Sequence, residues 1–407
     1  MKILMILPYI PFPPKFGGAI RIHAIIKYLE QNHDLTIITF ADEGDILALK
    51  EEFPKLSDKI HCVSKPVRNV LSKFLVISAF FKGNSHWREV TNSRLMQNCI
   101  DRVLGQNDFD IIQFEFPIMA MFRFNTKAKK ILDAHNVEYD NFRRMSKLNW
   151  SLYRKLYYLR EYHTFYKEEI EVWRNQDAVL VTSERDKKLI NEKVSTVPQY
   201  VVPNGVDCNY FYPSEQSTEP NTLVFTGRID YTPNCDGMIY FITDILPIIR
   251  ESVPDIKLYI VGKNPPNQLQ KYAEENIIIT GFVDDVRPYV WKSSVYVVPL
   301  RMGGGTRLKV LEALAMKKPL VTTSIGSEGI NVEHGKSVMI ADDPKTFAEY
   351  VVQLLQNRSL CIELGQNGYQ LIKSKYDWNV IGETLDSVYS SFDWEEVGKR
   401  SLEGKMS

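Results

Sequence analysis

Three consecutive glycines, Gly303, Gly304 and Gly305, separate the apolar run VYVVPL (295–300) from a segment of helical periodicity, TRLKVLEALAM (306–316). Glycine loses more backbone entropy on folding than any other residue, so three in a row ask for a reason. Close approach of a ligand to the main chain is one. A helix beginning after such a loop presents unpaired N–H groups and roughly half a positive charge, which favours phosphate. Thr306 is a candidate N-cap whose hydroxyl serves the helix or the ligand. Arg307 and Lys309 supply cationic donors for a diphosphate. Glu312 follows Lys309 by three residues on the same helix face, where its carboxylate could accept both hydroxyls of a ribose. Leu308, Leu311 and Ala315 form the opposite, buried stripe. A plainer reading stays open: a common strand–turn–helix junction with a surface Lys309–Glu312 pair.

A second polar cluster, DAHNVEYD (133–140), follows an apolar run and contains His135, Asn136 and Glu138. In parallel sheets, ligands bind beyond the carboxyl ends of strands, and His135 sits at such an end. Asp133 reads as structural, Asn204 and Asp207 as turn and capping residues. Near the N-terminus, Gly17 and Gly18 precede Arg21 by one helical turn. Arg21 could reach an acceptor or a phosphate, or lie on the helix surface.

The elements that must position these residues alternate. Apolar runs at 2–7, 35–40, 111–116, 130–135 and 178–183 are interleaved with helical segments. A second series follows at 222–227, 257–262, 277–281, 295–300, 319–323 and 338–342. Continuous Val/Ile/Leu runs alternating with helices imply parallel sheets buried on both faces. The stretch 202–221, rich in Pro, Asn, Ser and Glu, divides the two arrays. Residues 147–175 lack Pro and Gly and read as one long helix, and 376–392 as another that crosses back to the first array. The expected domains are 1–198 with the tail 376–407, and 199–375.

The 407 residues exceed one ordinary core. Hydrophobic content of 44% and charged content of 25% are those of a soluble globular protein. The five cysteines form no C-x-x-C pair and the histidines no H-x-x-x-H pair, so a reducing compartment and no protein-held metal are expected. The opening MKILMILPYIPFPP does not read as a signal peptide. The longest apolar run, FLVISAFF (74–81), is far short of the roughly 20 residues of a membrane span. Net charge is zero but uneven, about +6 over residues 1–196 and about −6 over the rest. Nucleic acid would want a stronger basic stripe. Neither a Walker A loop nor a G-x-G-x-x-G after the first strand is present, which counts against P-loop and dinucleotide chemistry.

Taken together, GGGTRLKVLEALAMKKPLVTT with SIGSEGI, VVPNGVDCNYFYP (201–213), FTGRIDYTPNCDGMIYF (225–241), GFVDDVRPYVWKSSVYVVPLRMGGG (281–305) and PPKFGGAIRIHAIIKYL (13–29) resemble the motifs of retaining glycosyltransferases of family 4. The resemblance covers most of the chain and implies the α/β GT-B fold, two Rossmann-like parallel-sheet domains facing a cleft. It implies transfer of a hexose-type sugar from a nucleotide sugar, UDP ahead of GDP, to a glycan or lipid-linked acceptor. Bacterial surface polysaccharide synthesis at the cytoplasmic face of the membrane is the natural setting. By position, Glu312 would bind the ribose, Arg228 and the Gly18 N–H the diphosphate, and the Val283 backbone the base. His135 would stand beside the donor sugar, and Gly17, Arg21 and Glu138 on the acceptor side. Arg228 and Lys309, with His135, are the expected catalytic groups; neither metal nor cofactor is implied. The chain departs from the family pattern twice. Gly304 stands where the first glutamate of E-x(7)-E would fall, and the loop DYTPNCDG lacks the family's lysine, for which Lys309 is the candidate replacement. A nucleotide-sugar epimerase and a non-catalytic nucleotide-sugar-binding protein are the alternatives. The aromatic-basic helix 147–175 and the 74–81 run are candidate contacts with a membrane surface.

Overall fold

The computed structural model describes residues 1–65, 78–147 and 151–392, and the chain divides into two compact units. Unit 1 contains Met1–Pro203 and the chain from Gly382; unit 2 is Asn204–Ile381. Parts of three sequence expectations lie outside the described residues: 74–77 of the apolar run, 148–150 of the long helix and the tail from 393.

Unit 1 is built on seven strands: β1 (Lys2–Leu7), β2 (Asp34–Ala41), β3 (Ile60–Ser64), β4 (Ile111–Glu115), β5 (Lys129–Ala134), β6 (Ala178–Val181) and β7 (Gln199–Val201). They pair in the order β3-β2-β1-β4-β5-β6-β7, all parallel. The interior strands are apolar on both faces because helices cover both, and every residue of β4 and β6 is buried. β3, on the edge, mixes Ile60 and Val63 with His61, Cys62 and Ser64, so its residues give no apolar run. β7, three residues long on the opposite edge, is too short for a periodic signal. The long helix is Leu152–Arg174, preceded by a separate helix, Glu138–Ser146.

Unit 2 holds six strands: β8 (Thr222–Thr226), β9 (Lys257–Val261), β10 (Ile277–Gly281), β11 (Val295–Val298), β12 (Leu320–Thr322) and β13 (Met339–Ile340). Their order is β10-β9-β8-β11-β12-β13, again all parallel. Both sheets reverse their winding direction once, between β1 and β4 in unit 1 and between β8 and β11 in unit 2. Those reversals leave a crevice at the carboxyl ends of the strands, where doubly wound sheets receive ligands.

The last helix, Trp378–Ser390, starts in unit 2, and from Gly382 it belongs to unit 1. There the Tyr28 hydroxyl donates to Asp386 at 2.9 Å, His33 Nε2 lies 2.7 Å from the same carboxylate, and the Tyr389 hydroxyl donates to Gln113.

Candidate active site

In unit 2 the residues singled out by sequence gather at the β8/β11 reversal. The glycine loop leaves β11 with Gly303 at φ +114° and Gly305 at φ +75°, conformations that L side chains rarely adopt. The loop ends in the helix Leu308–Ala315, with Arg307 in the N-cap position and no side-chain cap. This corrects the expected N-cap: Thr306 lies outside the helix, and its hydroxyl oxygen is buried without a hydrogen-bond partner. Arg307, expected as a diphosphate donor, is 7% exposed, and its guanidinium donates to the Gly304 carbonyl at 2.5 Å.

Lys309 and Glu312 project from the same helix, each half-buried. The Lys309 ammonium donates to Asn234 Oδ1 at 2.9 Å and lies 3.8 Å from the centroid of the Phe225 ring. Asn234 in turn donates to the Arg228 carbonyl at 2.7 Å. Lys309 thus turns toward the strand ends instead of forming the surface pair with Glu312 that sequence left open. Burial, and then the nearby Arg307 charge, hold the Lys309 pKa well below the usual lysine range, against the pull of Glu312. Burial pushes the Glu312 carboxyl up to about 7, against the pull of Lys309. Buried groups with such shifts at a strand-end crevice are candidates for a functional site. Asn234 had no separate signal in the sequence; it lies in the first turn of the helix Thr232–Tyr240, in the stretch DYTPNCDG where the family's lysine was missing.

Arg228 is exposed and held by Asp230, with Nε 3.2 Å from one carboxylate oxygen and Nη2 3.0 Å from the other. Hydrogen bonding to Asp230 raises the Arg228 pKa. Its guanidinium is charged and pre-oriented but must share itself with any anion. Val283 lies in the loop between β10 and the helix Arg287–Lys292, next to the exposed Phe282.

In unit 1 the candidates collect at the β1/β4 reversal. Gly17 opens the helix Gly17–Asn32, and Gly18 is confined: a Cβ there would lie 2.4 Å from the Tyr9 hydroxyl and 3.1 Å from the Phe116 ring. The Tyr9 hydroxyl is itself buried without a partner. Phe116 takes φ +72°, a strained conformation for a bulky residue, and its ring stacks on His135 with centroids 3.9 Å apart. His135, 5% exposed, is fixed through Nε2 by Glu115 at 2.7 Å. Burial, and then Asp133, raise the Glu115 pKa, while His135 and Gln113 lower it.

Arg21 is corrected as an acceptor-side group. It is 1% exposed; its guanidinium forks onto Asp133 at 2.8 and 3.1 Å and donates to the Pro203 carbonyl at 2.9 Å. A buried charge left without that carboxylate would be costly, so Arg21 and Asp133 are a structural pair. Glu138 is also turned inward at the start of its helix, 9% exposed, accepting from Asn136 and Asn141 at 3.3 Å each. Burial raises its pKa. The first backbone N–H groups of that helix are satisfied from outside, by Glu169 at 3.0 and 2.8 Å.

One atom each of Glu115, Asp133 and His135 lies within 4.8 Å of the others, a set that could ligate a metal. Most of the same atoms are engaged: His135 and Gln113 hold Glu115, and Arg21 holds both oxygens of Asp133. A cation there would compete with the Arg21 guanidinium for Asp133. Glu115, Phe116 and Tyr9 were missed by sequence reasoning. The run IIQFEF carried Glu115 and Phe116 as ordinary strand positions.

The glycosyltransferase family 4 model matches residues 17–210, and the glycosyl transferases group 1 model matches residues 220–357. The chain belongs to these glycosyltransferases. This family 4 glycosyltransferase is 25% identical over 394 residues to an uncharacterized 44.6 kDa protein in the cps region of Klebsiella pneumoniae, covering 92% of this chain and 96% of that protein. It is 23% identical over 255 residues to the capsular polysaccharide biosynthesis glycosyltransferase CapM of Staphylococcus aureus, covering 57% and 66%. Among solved structures it resembles Anabaena HepE in complex with UDP, with TM-score 0.67 and 14% identity over 96% of this chain and all of that one. It also resembles TarM, with TM-score 0.68 and 13% identity over 96% and 99%. Those likenesses establish the GT-B fold for this glycosyltransferase.

Proposed function

We propose that this glycosyltransferase moves a hexose from a nucleotide sugar, UDP-linked ahead of GDP-linked, to a glycan or lipid-linked acceptor in surface polysaccharide synthesis, with retention and without metal or cofactor. The observation that carries the reading is the Lys309 ammonium, held by Asn234 at the carboxyl end of β8 beside the glycine loop. Departure of a nucleoside diphosphate develops negative charge on its oxygens. Groups already oriented there cost no reorganisation when the charge appears. Lys309, the loop N–H groups and Arg228 are those groups in unit 2, and Glu312 takes the ribose hydroxyls. The base rests on the Val283 backbone. Gly303, Gly304 and Gly305 let the phosphates approach the main chain. In unit 1, His135 serves the transferred sugar, with Glu115 fixing its ring, and the Gly18 N–H serves the diphosphate.

The capsular relatives support the polysaccharide setting. A membrane-linked acceptor is supported by exposed Phe80, Phe81, Leu152, Tyr153 and Leu156, set among Arg154, Lys155 and Arg160 in unit 1. None of the described helices is long and apolar enough to cross a membrane. The reading takes the enzyme to act at the cytoplasmic face as a peripheral protein, supported by that exposed aromatic and basic patch.

The test is release of nucleoside diphosphate from a panel of UDP- and GDP-sugars with lipid-linked and oligosaccharide acceptors, in the presence of EDTA. One sugar is expected to be transferred with its anomeric configuration kept. Interconversion of nucleotide sugars without transfer would establish the epimerase instead.

A further inference from the structure

Gln113 and Glu115 stand two residues apart on β4 and so share one face of the first sheet, next to β5, which His135 follows. Four side chains there form one chain of hydrogen bonds. The Tyr389 hydroxyl, on the last helix, donates to Gln113 Oε1. Gln113 Nε2 donates to Glu115 Oε1 at 2.7 Å, and Glu115 Oε2 lies 2.7 Å from His135 Nε2. Tyr389, Gln113 and Glu115 are fully buried, and His135 nearly so.

The chemistry of the groups fixes the direction of each link. A carboxylate only accepts, so Gln113 must turn its NH2 toward Glu115 and its oxygen toward Tyr389. The reverse arrangement would set the amide oxygen against the carboxylate. Burial, and then the charges of Glu115 and Asp133, hold the Tyr389 pKa well above the ordinary tyrosine range, so the hydroxyl keeps its proton and donates. At the other end, Glu115 accepts from His135 Nε2. Asp133 Oδ2 is 4.0 Å from the same nitrogen, beyond hydrogen-bond reach, and Arg21 holds both Asp133 oxygens. The second ring nitrogen faces elsewhere. A Cβ at Gly18 would lie 3.5 Å from Nδ1, so this atom looks toward the start of the helix Gly17–Asn32, beside the N–H assigned to the diphosphate.

We propose that Gln113 and Tyr389 are positioning residues for sugar transfer. The Tyr389 hydroxyl orients the Gln113 amide, Gln113 orients Glu115, and Glu115 keeps the His135 proton on Nε2, leaving the Nδ1 lone pair for a hydroxyl of the transferred sugar. The end of the last helix thereby sets the state of a ring in the active site of unit 1. The inference rests on the transfer reading for what Nδ1 touches, and on the hydrogen bonds alone for which nitrogen holds the proton.

The test is proton–nitrogen correlation NMR of the full chain with labelled histidine, at about pH 9, where an ordinary histidine ring is neutral, beside steady-state transfer rates. The His135 signals are assigned by their loss in His135→Gln. In the parent, Nε2 is expected to carry the proton. Glu115→Gln keeps the shape, but Gln113 still offers its N–H to the oxygen of the new amide. The NH2 of that amide then meets Nε2, and the proton moves to Nδ1. Adding Tyr389→Phe frees the Gln113 amide to turn, and both tautomers should appear. Tyr389→Phe alone should lower kcat about three- to tenfold, as expected for loss of one hydrogen bond, with the donor KM unchanged. A loss of packing alone moves no proton between ring nitrogens. Melting curves show which variants are folded, and the parent ring with either single variant decides the question. An Nδ1–H ring in the parent, an unmoved proton in Glu115→Gln or a complete switch in the double variant would overturn the proposal. So would a parent-like kcat in Tyr389→Phe. If the parent transfers no sugar, the transfer reading fails and the ring signals alone decide the hydrogen-bond chain.

Discussion

At the scale of single residues, Lys309 and Glu312 make opposite demands on pH. Lys309 is depressed by burial and by Arg307, and a diphosphate beside it would favour the charged ammonium. Nucleotide binding should therefore take up a proton at pH values between the depressed Lys309 pKa and the ordinary lysine range. Calorimetry in buffers of different ionisation enthalpy reads that uptake, and Lys309→Met should abolish it. Equal proton linkage in the variant would move the effect to another group. Glu312 is raised to about 7 from an unfolded value near 4.3. Between those values the folded state binds more protons than the unfolded one, so stability falls as pH rises through the window. Denaturant unfolding at pH 5 and pH 8 should show that loss in the parent chain and a smaller one in Glu312→Gln. An identical pH slope in both would place the titration elsewhere.

At the scale of elements, two strand-to-helix connections do the positioning. In unit 2 the loop between β11 and the Leu308 helix needs glycine at Gly303 and Gly305 for its positive φ. In unit 1 the turn into the Gly17 helix needs glycine at Gly18 for space. Gly18→Ala would set a methyl 2.4 Å from the Tyr9 hydroxyl and displace Tyr9 or the Phe116 ring that stacks on His135. Transfer should drop on the order of tenfold at a stability cost of about 1–3 kcal/mol, read by initial rates beside unfolding curves. Unchanged rates would free His135 from that packing. Legibility in the sequence followed the same division. The glycine loop, the parallel arrays and Lys309 were visible because their signals are local: consecutive glycines, apolar runs, a cation near a helix start. Arg21 was misplaced because its partner Asp133 lies 112 residues away and only the sheet brings them together. Glu115 was invisible because a buried carboxylate inside an apolar run gives no sign that a histidine just past the next strand will hold it. The Thr306 cap was misplaced because the helix begins later than its apolar period suggested.

At the scale of the whole molecule, two similar sheets each carry a cluster at the reversal of strand order, as doubly wound architecture dictates. The chain then closes unit 1 with the end of its last helix. Gly382 meets the Tyr28 ring so closely that a Cβ would lie 2.1 Å from it. Gly382→Ala should therefore destabilise unit 1 by about 1–3 kcal/mol, seen as a lower urea midpoint. A parent-like midpoint would mean that this contact does not hold the helix. The division of labour between the units turns on where the nucleoside diphosphate is held. Isothermal titration of UDP into the parent chain and Lys309→Met tests this most directly. Binding is expected in the parent and should weaken on the order of 10- to 100-fold in the variant, as expected for loss of a hydrogen bond to a charged group. Equal UDP affinity in the two proteins would contradict the assignment of Lys309 and the glycine loop to the donor's diphosphate.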